Sequence, residues 1–180
     1  SEILLIEASS DPFALLDGYM DHLARAMRAR VPDHIPTGWC TWYYCYGENT
    51  EDDVLANVAA IKEKELPLEY ILIDDGYQTA IGDWTSAGHR FPHGLPWLAE
   101  QIRSAGFKPG LWVAPFGVAQ NSRLYAEHPD WALTNADGSP VVAWQHLGVD
   151  APILALDCTH PGVQEWLGVL FRTLAEQWGI

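Results

Sequence analysis

Short apolar segments alternate with longer amphipathic segments along this 180-residue chain, and this alternation restricts its possible folds more than any other feature. The clearest strand signal is the apolar run at residues 70–73, which is typical of a strand buried on both faces. Further strands are predicted at 38–42 and 109–115, with a shorter extended piece at 153–156. Helices are predicted at 11–30 with Asp11 as the cap, at 51–61 after a capping box at residues 50–53, at 95–102, and at 161–178 with His160 as a turn or cap residue. A long loop is predicted from 116 to 152, with turn chemistry at 135–138. Strands that alternate with helices form parallel sheets with right-handed crossovers.

A parallel α/β sheet of this kind is either doubly wound or closed into a barrel. No glycine-rich fingerprint follows any of the predicted strands, which argues against the nucleotide-binding, doubly wound form. Polar and aromatic residues instead follow the strands at their carboxyl ends, where the active sites of (β/α)8 barrels lie. A closed barrel needs roughly 250 residues. The sequence therefore predicts the first three βα units of a (β/α)8 TIM barrel, preceded by a helix.

The composition excludes several classes of function. The net charge of −14 and the absence of a Lys/Arg-rich run argue against a nucleic-acid partner. No apolar run is long enough to predict a membrane-spanning helix. The three cysteines, Cys40, Cys45 and Cys158, match neither a disulfide framework nor a zinc motif, so we interpret them as reduced thiols of a cytoplasmic protein. Pro92 breaks the helix that a metal-binding pair of His89 and His93 would need, and we expect no metal and no cofactor.

Two adjacent carboxylates, Asp74 and Asp75, directly follow the strand predicted at 70–73. Ionised carboxylates only accept hydrogen bonds, so a pair at the rim of a cavity suits the neighbouring hydroxyl groups of a sugar. The alternatives are a helix cap and a metal site. A cap fits less well, because Gly76 and Tyr77 open a loop rather than a helix. We predict that both aspartates bind substrate.

Aromatic residues accompany all three strand ends: Trp42 and Tyr43 follow the first strand, Trp84 lies in the loop after the second, and Trp112 lies in the third. Each alone is more often a core residue, and the Gly-Asp-Trp segment that ends at Trp84 fits a loop anchor equally well. Aromatic rings around two carboxylates together favour a carbohydrate pocket. We predict that these four aromatic residues bind substrate with the aspartates.

Six motifs in this order resemble the catalytic barrel of glycoside hydrolase family 36, which includes α-galactosidases (melibiases) and raffinose synthases. They are Trp42-Tyr43-Tyr44, Ile73-Asp74-Asp75-Gly76-Tyr77, Ile81-Gly82-Asp83-Trp84, Gly110-Leu111-Trp112-Val113-Ala114-Pro115-Phe116, Glu127-His128-Pro129-Asp130-Trp131 and Ala155-Leu156-Asp157-Cys158-Thr159-His160-Pro161. The resemblance covers about residue 36 to the end of the chain. The aspartate pair together with the Gly-x-Trp-x-Ala-Pro-Phe segment is specific, whereas either alone would be weak.

The resemblance implies a retaining enzyme without a metal, in which one aspartate attacks the anomeric carbon and a second is the acid and base. In the family both catalytic aspartates lie further along the barrel, so we expect them beyond Ile180 and none among residues 1–180. The resemblance places Asp74 and Asp75 on the galactose 4- and 6-hydroxyls, with Trp42, Tyr43 and Trp112 lining the same pocket. It further implies that residues 1–35 are an interdomain linker and helix, and that residues 36–180 are the N-terminal portion of the catalytic barrel.

We therefore expect the full-length protein to cleave terminal α-D-galactosyl residues from oligosaccharides, and the 180-residue chain alone to be inactive. Its expected partners are an α-galactoside oligosaccharide and either the rest of the barrel or further copies of the chain. Three alternatives remain open at this point. One is a transglycosylase like raffinose synthase, another is a non-catalytic, self-associating half-barrel that binds sugar, and the third is an unrelated metal-dependent barrel.

Overall fold

The computed structural model of the chain describes residues 4, 6–30, 33–146 and 151–180. The chain divides into two compact units, residues 1–35 and residues 36–180. The first contains helix α1 (Pro12–Met27), which begins as predicted with the Asp11 carboxylate accepting the Phe13 N–H at 2.9 Å and Pro12 in the first turn. No residue of α1 is buried, and most of its large apolar side chains are exposed. Its assignment as an interdomain linker stays a prediction.

The second unit is α/β and contains two three-stranded sheets within the described residues. Its elements in chain order are β1 (Gly38–Cys40), α2 (Trp42–Cys45), α3 (Glu51–Glu63), β2 (Tyr70–Ile73), α4 (Leu95–Ser104), β3 (Lys108–Leu111), β4 (Gly117–Ala119), α5 (Arg123–Glu127), a 3₁₀ turn (Pro129–Trp131), β5 (Val142–Trp144), β6 (Ile153–Ala155), α6 (Pro161–Arg172) and a final π turn (Thr173–Gln177). From α3 to β3 the alternation of strands with helices is the predicted one, whereas α2, β4, α5 and β5 were not predicted.

The first sheet is parallel, in the order β1-β2-β3, as the alternation predicts. Cys40 pairs with Leu72, and Ile73 pairs with Leu111, so the three strands end at the same edge of the sheet. Helices α3 and α4 bury one face, where Ile71 and Ile73 are fully buried in the main apolar cluster. Burial of each large apolar side chain stabilises the fold by about 1.5–3 kcal/mol.

The other face of β2 differs from the prediction of a strand buried on both sides, because burial alternates along the strand. Tyr70 and Leu72 line an open, mainly apolar cleft of about 300 Å³, together with Cys40 of β1, which pairs with Leu72. Sequence alone does not show this difference, since an apolar run carries no period-two signal for which face is covered.

The predicted strands 38–42 and 109–115 are both shorter in the structure. β1 ends at Cys40, and Trp42 begins a single turn of helix, which Tyr46 ends in the left-handed conformation with φ 47°. β3 ends at Leu111. The ladder nevertheless extends by one bond at each strand, because Thr41 N–H donates to the Leu72 carbonyl at 3.1 Å and Trp112 N–H donates to the Ile73 carbonyl at 2.8 Å.

The second sheet is antiparallel, in the order β4-β6-β5, and lies in the segment predicted as a loop from 116 to 152 followed by an extended piece. Each of its strands has three residues, which is too short for a detectable period. Val118 and Leu154 join Val163 of α6 in a second apolar cluster. The turn chemistry predicted at 135–138 is present between the bridged residues Thr134 and Pro140.

Candidate functional site

Asp74 lies where β2 ends, and its main chain is bound to the loop after β1. Thr41 Oγ1 accepts the Asp74 N–H at 2.9 Å. Asn49 Nδ2 donates both to Thr41 Oγ1 at 2.9 Å and to the Asp74 carbonyl at 3.1 Å. Thr41 and Asn49 are fully buried. Buried polar groups with such partners favour one orientation, because breaking any of these bonds leaves a desolvated donor or acceptor.

The Asp74 side chain is only half-buried and retains free capacity as an acceptor. Its Oδ1 accepts the Asp75 N–H at 2.8 Å, and its Oδ2 accepts the Cys40 S–H at 3.3 Å. Burial raises the pKa of the Cys40 thiol, and the Asp74 carboxylate adds to that effect, so the thiol stays protonated as a donor. A carboxylate offers about four acceptor positions, so two remain for a ligand.

Asp75 is buried, and donors of two side chains occupy its carboxylate. Gln78 Nε2 donates to Oδ1, and His146 Nε2 lies 2.6 Å from Oδ2. Tyr77 is fully buried behind it, where burial first and the Asp75 charge second raise the pKa of its phenol above its ordinary value. Asp75 is thus a fixed carboxylate at the centre of a polar network, whereas Asp74 is open to a ligand.

The loops after β1 and β2 touch each other beside these aspartates. Gly76 has φ 105°, and a Cβ built on it would lie 2.1 Å from the Gly47 carbonyl oxygen, so only glycine allows this approach. Arg90 joins the two loops, since its Nη2 donates to the carbonyls of Gly47 at 2.7 Å and Gly76 at 3.0 Å. Its Nη1 contacts the Glu48 carboxylate at 2.6 Å.

A cavity of about 280 Å³ opens at this edge of the parallel sheet. Its lining residues are Trp42, Asp74, Asp75, Trp112 and His146. Four of the six residues predicted to bind substrate are therefore brought together here. A second, more polar cavity of about 420 Å³ shares Asp75 and His146 with it and extends towards Gln78 and Arg90.

The other two predicted residues lie elsewhere. Tyr43 is 82% exposed and does not line the cavity. Trp84 is buried in the core, with its ring edge against Trp112 at a centroid distance of 5.7 Å. The Asp83 carboxylate beside it accepts the main-chain N–H groups of Arg123 and Leu124, both at 3.0 Å. These bonds fit the alternative interpretation of the Gly-Asp-Trp segment as a loop anchor. Trp84 also borders a separate cavity of about 230 Å³ near α6. Substrate roles for Tyr43 and Trp84 stay predictions.

Sequence reasoning did not find His146, Gln78, Thr41, Asn49 or Arg90. His146 is 71 positions from Asp75 and lies two residues beyond β5, a strand that was itself not predicted. Gln78 gave a weak signal, since it follows the aspartate pair at the spacing of a tight turn. The other three are single polar residues in loops, and their importance depends on contacts across the sheet.

Three other histidines, His93, His128 and His160, have structural contacts. His93 Nδ1 lies 2.7 Å from the buried Glu51 carboxylate. His160 caps α6 as predicted, with Nδ1 accepting the Gly162 N–H at 3.1 Å. Across the part of the chain that the structure describes, no group of three or more His, Cys, Asp and Glu side chains could hold a metal ion. In the same residues no helix is long and apolar enough to cross a membrane.

Comparison of the sequence with known families matches residues 19–176 to the family described as Melibiase. Alpha-galactosidase AgaA of Geobacillus stearothermophilus is 35% identical over 123 residues, which are 64% of this chain and 16% of that protein. Alpha-galactosidase 2 of Pediococcus pentosaceus is 38% identical over 93 residues, which are 48% of this chain and 13% of that protein. The chain therefore spans about a sixth or less of the length of these curated relatives.

Solved structures give the same relationship. The α-galactosidase TtGalA from Thermus thermophilus, in complex with p-nitrophenyl α-D-galactopyranoside, superposes with a TM-score of 0.76 at 40% identity, covering 83% of this chain and 30% of that chain. The α-galactosidase from Lactobacillus brevis superposes with a TM-score of 0.71 at 26% identity, covering 82% of this chain and 20% of that chain. These neighbours are TIM-barrel enzymes. With its family match over most of its length, the chain belongs to the melibiase family, glycoside hydrolase family 36.

Proposed function

We propose that the protein containing this chain is a retaining α-galactosidase and that residues 36–180 form the first part of its (β/α)8 barrel. The observation that carries the proposal is the cavity where Asp74 and Asp75 meet Trp42 and Trp112. Open acceptor positions on Asp74 suit the hydroxyl groups of a sugar, and the tryptophan rings suit its C–H faces. The galactosides bound in the TtGalA crystals support this assignment by similarity.

Galactose differs from glucose in its axial 4-hydroxyl, and a carboxylate aimed at that position distinguishes the two sugars. A site that hydrogen-bonds a hydroxyl rejects the epimer strongly, because its own buried polar groups are then left unpaired. In this proposal Asp74 and Asp75 select the sugar. The catalytic nucleophile and acid/base belong to later barrel strands, about 5–5.5 Å apart as a retaining mechanism requires.

The test is hydrolysis of p-nitrophenyl α-galactoside by the full-length protein that contains this chain, with p-nitrophenyl α-glucoside as the control. We expect release of nitrophenol from the galactoside only, with retention of the anomeric configuration. Incubation with raffinose then separates hydrolysis from transglycosylation. Free galactose supports the hydrolase, longer oligosaccharides support the raffinose-synthase alternative, and binding without turnover supports a sugar-binding module.

Two further expectations stay predictions. The cytoplasmic location rests on the free thiols of Cys40, Cys45 and Cys158. Association of the 180-residue chain with the rest of the barrel or with its own copies rests on the two edge strands, β1 and β3, of the parallel sheet. Unpaired strand edges favour pairing with another chain. Sedimentation velocity of the isolated chain measures this, and a stable monomer with native near-UV circular dichroism would contradict it.

A further inference from the structure

His146 lines the candidate cavity and contacts Asp75 there, and no family motif quoted above includes it. Its Nε2 lies 2.6 Å from Asp75 Oδ2, with only 14% of the His146 side chain and 9% of the Asp75 side chain exposed. Such a short contact in a desolvated place is typical of a hydrogen bond to an ionised acceptor.

The neighbouring residues assign the proton on this imidazole. Trp144 Nε1, which can only donate, lies 3.4 Å from His146 Nδ1. Nδ1 is therefore the acceptor, so in the neutral ring Nε2 carries the hydrogen and donates it to Asp75. Gln78 donates to the other Asp75 oxygen and is itself held by the Gly76 N–H, which donates to Gln78 Oε1 at 3.1 Å. Both carboxylate oxygens of Asp75 are thus fixed in direction.

The position of the ring gives His146 a second contact with the cavity. Its plane is within 21° of the Trp112 plane, with the ring centroids 6.4 Å apart, so the two rings form adjacent parts of the cavity wall. His146 and Asp75 also line the neighbouring cavity of about 420 Å³. The pair therefore lies between the two cavities, and a smaller side chain at position 146 would open one into the other.

We propose that His146 is a specificity-determining residue of the sugar site, which aligns the Asp75 carboxylate with a galactose hydroxyl and closes the cavity on the side of Gln78. This inference rests on the proposed function. It goes beyond that function by giving a binding role to a segment outside the parallel sheet. The antiparallel sheet then contributes to sugar selection through Trp144 and His146.

The test compares His146→Ala with His146→Gln in the full-length protein. The Gln amide nitrogen reaches about as far as imidazole Nε2, so it keeps the donor to Asp75 and fills most of the gap, whereas Ala loses both. We expect His146→Ala to raise KM for p-nitrophenyl α-galactoside and the inhibition constant of free galactose about tenfold or more, because a hydrogen bond to a charged group is lost. We expect His146→Gln to restore most of that loss.

His93→Ala is the matched control, because His93 also pairs with a buried carboxylate, Glu51 at 2.7 Å, but lies outside the cavity. It should lower the melting temperature and leave KM and the galactose inhibition constant unchanged. Selectivity gives a second measurement. The ratio of the inhibition constants of glucose and galactose should fall in His146→Ala and stay at the wild-type value in His93→Ala.

The outcomes separate this inference from the proposed function. If wild-type protein neither binds galactose nor cleaves the galactoside, the proposed function is wrong. If wild-type protein is active and Asp74→Asn is not, but His146→Ala keeps wild-type KM and selectivity, only the role of His146 is wrong. A loss that Gln does not restore, with a melting temperature lowered as in His93→Ala, would also overturn it, because it would make His146 a structural residue.

Discussion

Two aspartate segments follow apolar strands in this chain, but only one of them lines a cavity. Asp74 and Asp75 end β2 of the parallel sheet and line a cavity. Asp157 follows β6 of the antiparallel sheet and is half-buried, with its Oδ1 accepting the Thr159 N–H at 2.9 Å and the Thr159 hydroxyl at 2.7 Å. These two bonds hold the pKa of Asp157 below its ordinary value of 3.8.

The difference follows from strand direction. Neighbours of β2 run parallel to it, so the ends of β1 and β3 bring Thr41 and Trp112 to the same edge as Asp74. β4 runs against β6, and its register pairs the last residue of β6, Ala155, with the first residue of β4, Gly117. An antiparallel end therefore meets the beginning of its neighbour, and Asp157 caps its own turn instead of joining a shared site.

The largest effect on activity is expected from substitutions at Asp74 and Asp75. In the full-length protein, Asp74→Asn and Asp75→Asn should each lower kcat/KM for p-nitrophenyl α-galactoside by roughly a hundredfold or more, because a charged acceptor in the cavity is replaced by a neutral amide. Steady-state kinetics measures this loss. Near-normal activity of both variants would show that the aspartates after β2 do not bind the sugar.

The next effect concerns two glycines with positive φ, one in each region. Gly76→Ala should lower stability by about 2–4 kcal/mol, because it adds conformational strain and a clash with the Gly47 main chain. Gly138→Ala is the control, since it has φ 83° but no atom within 4 Å of the added Cβ. Gly138→Ala should lower the free energy of unfolding only by the conformational strain, about 1–2 kcal/mol. Thermal unfolding compares the two, and equal costs would show that the contact between the loops is loose.

A smaller effect distinguishes a tryptophan at the cavity from one in the core. Trp112→Phe should weaken galactoside affinity several-fold while the melting temperature stays within a few degrees, because Phe keeps most of the packing but has a smaller stacking face. Trp131, buried in the cluster beside β6, supplies the opposite case. Trp131→Phe should lower the melting temperature and leave KM unchanged. A large fall in melting temperature with unchanged KM in Trp112→Phe would show that Trp112 is a core residue.

The smallest effect is expected at Asp157. Asp157→Asn keeps an oxygen that can accept the Thr159 N–H, so activity should not change and the melting temperature at pH 7 should fall only slightly. The pKa of Asp157 is lowered in the folded chain, so its charge stabilises the fold above its ordinary pKa of 3.8, and this contribution is lost as the pH falls below that value. The difference in melting temperature between variant and wild type should therefore shrink on acidification, and a difference independent of pH would contradict the assignment.

The features that sequence predicted are those with a strong local pattern. The parallel strands, the capping box of Thr50 and Asp53, and the Asp11 cap each depend on neighbouring residues, and the structure contains all three. The strands of the antiparallel sheet have only three residues each, too few for a local pattern, and the contact of His146 with Asp75 joins loop residues 71 positions apart, which no local pattern encodes. Sequence reasoning thus found the aspartates and Trp112 but missed the residues that orient them.

The irregular pairing of β5 has a consequence for how this chain tolerates changes in length. A register shift lies between Val142 and Trp144, and His146 follows two residues later. Because successive side chains of an extended segment point to opposite sides, one residue inserted or deleted between 142 and 146 would turn the imidazole away from Asp75. The turn around Gly138 has no such constraint, since it is exposed and its Cβ position is open. Related chains that keep this pocket should vary in length at 135–139 and keep the spacing from Val142 to His146.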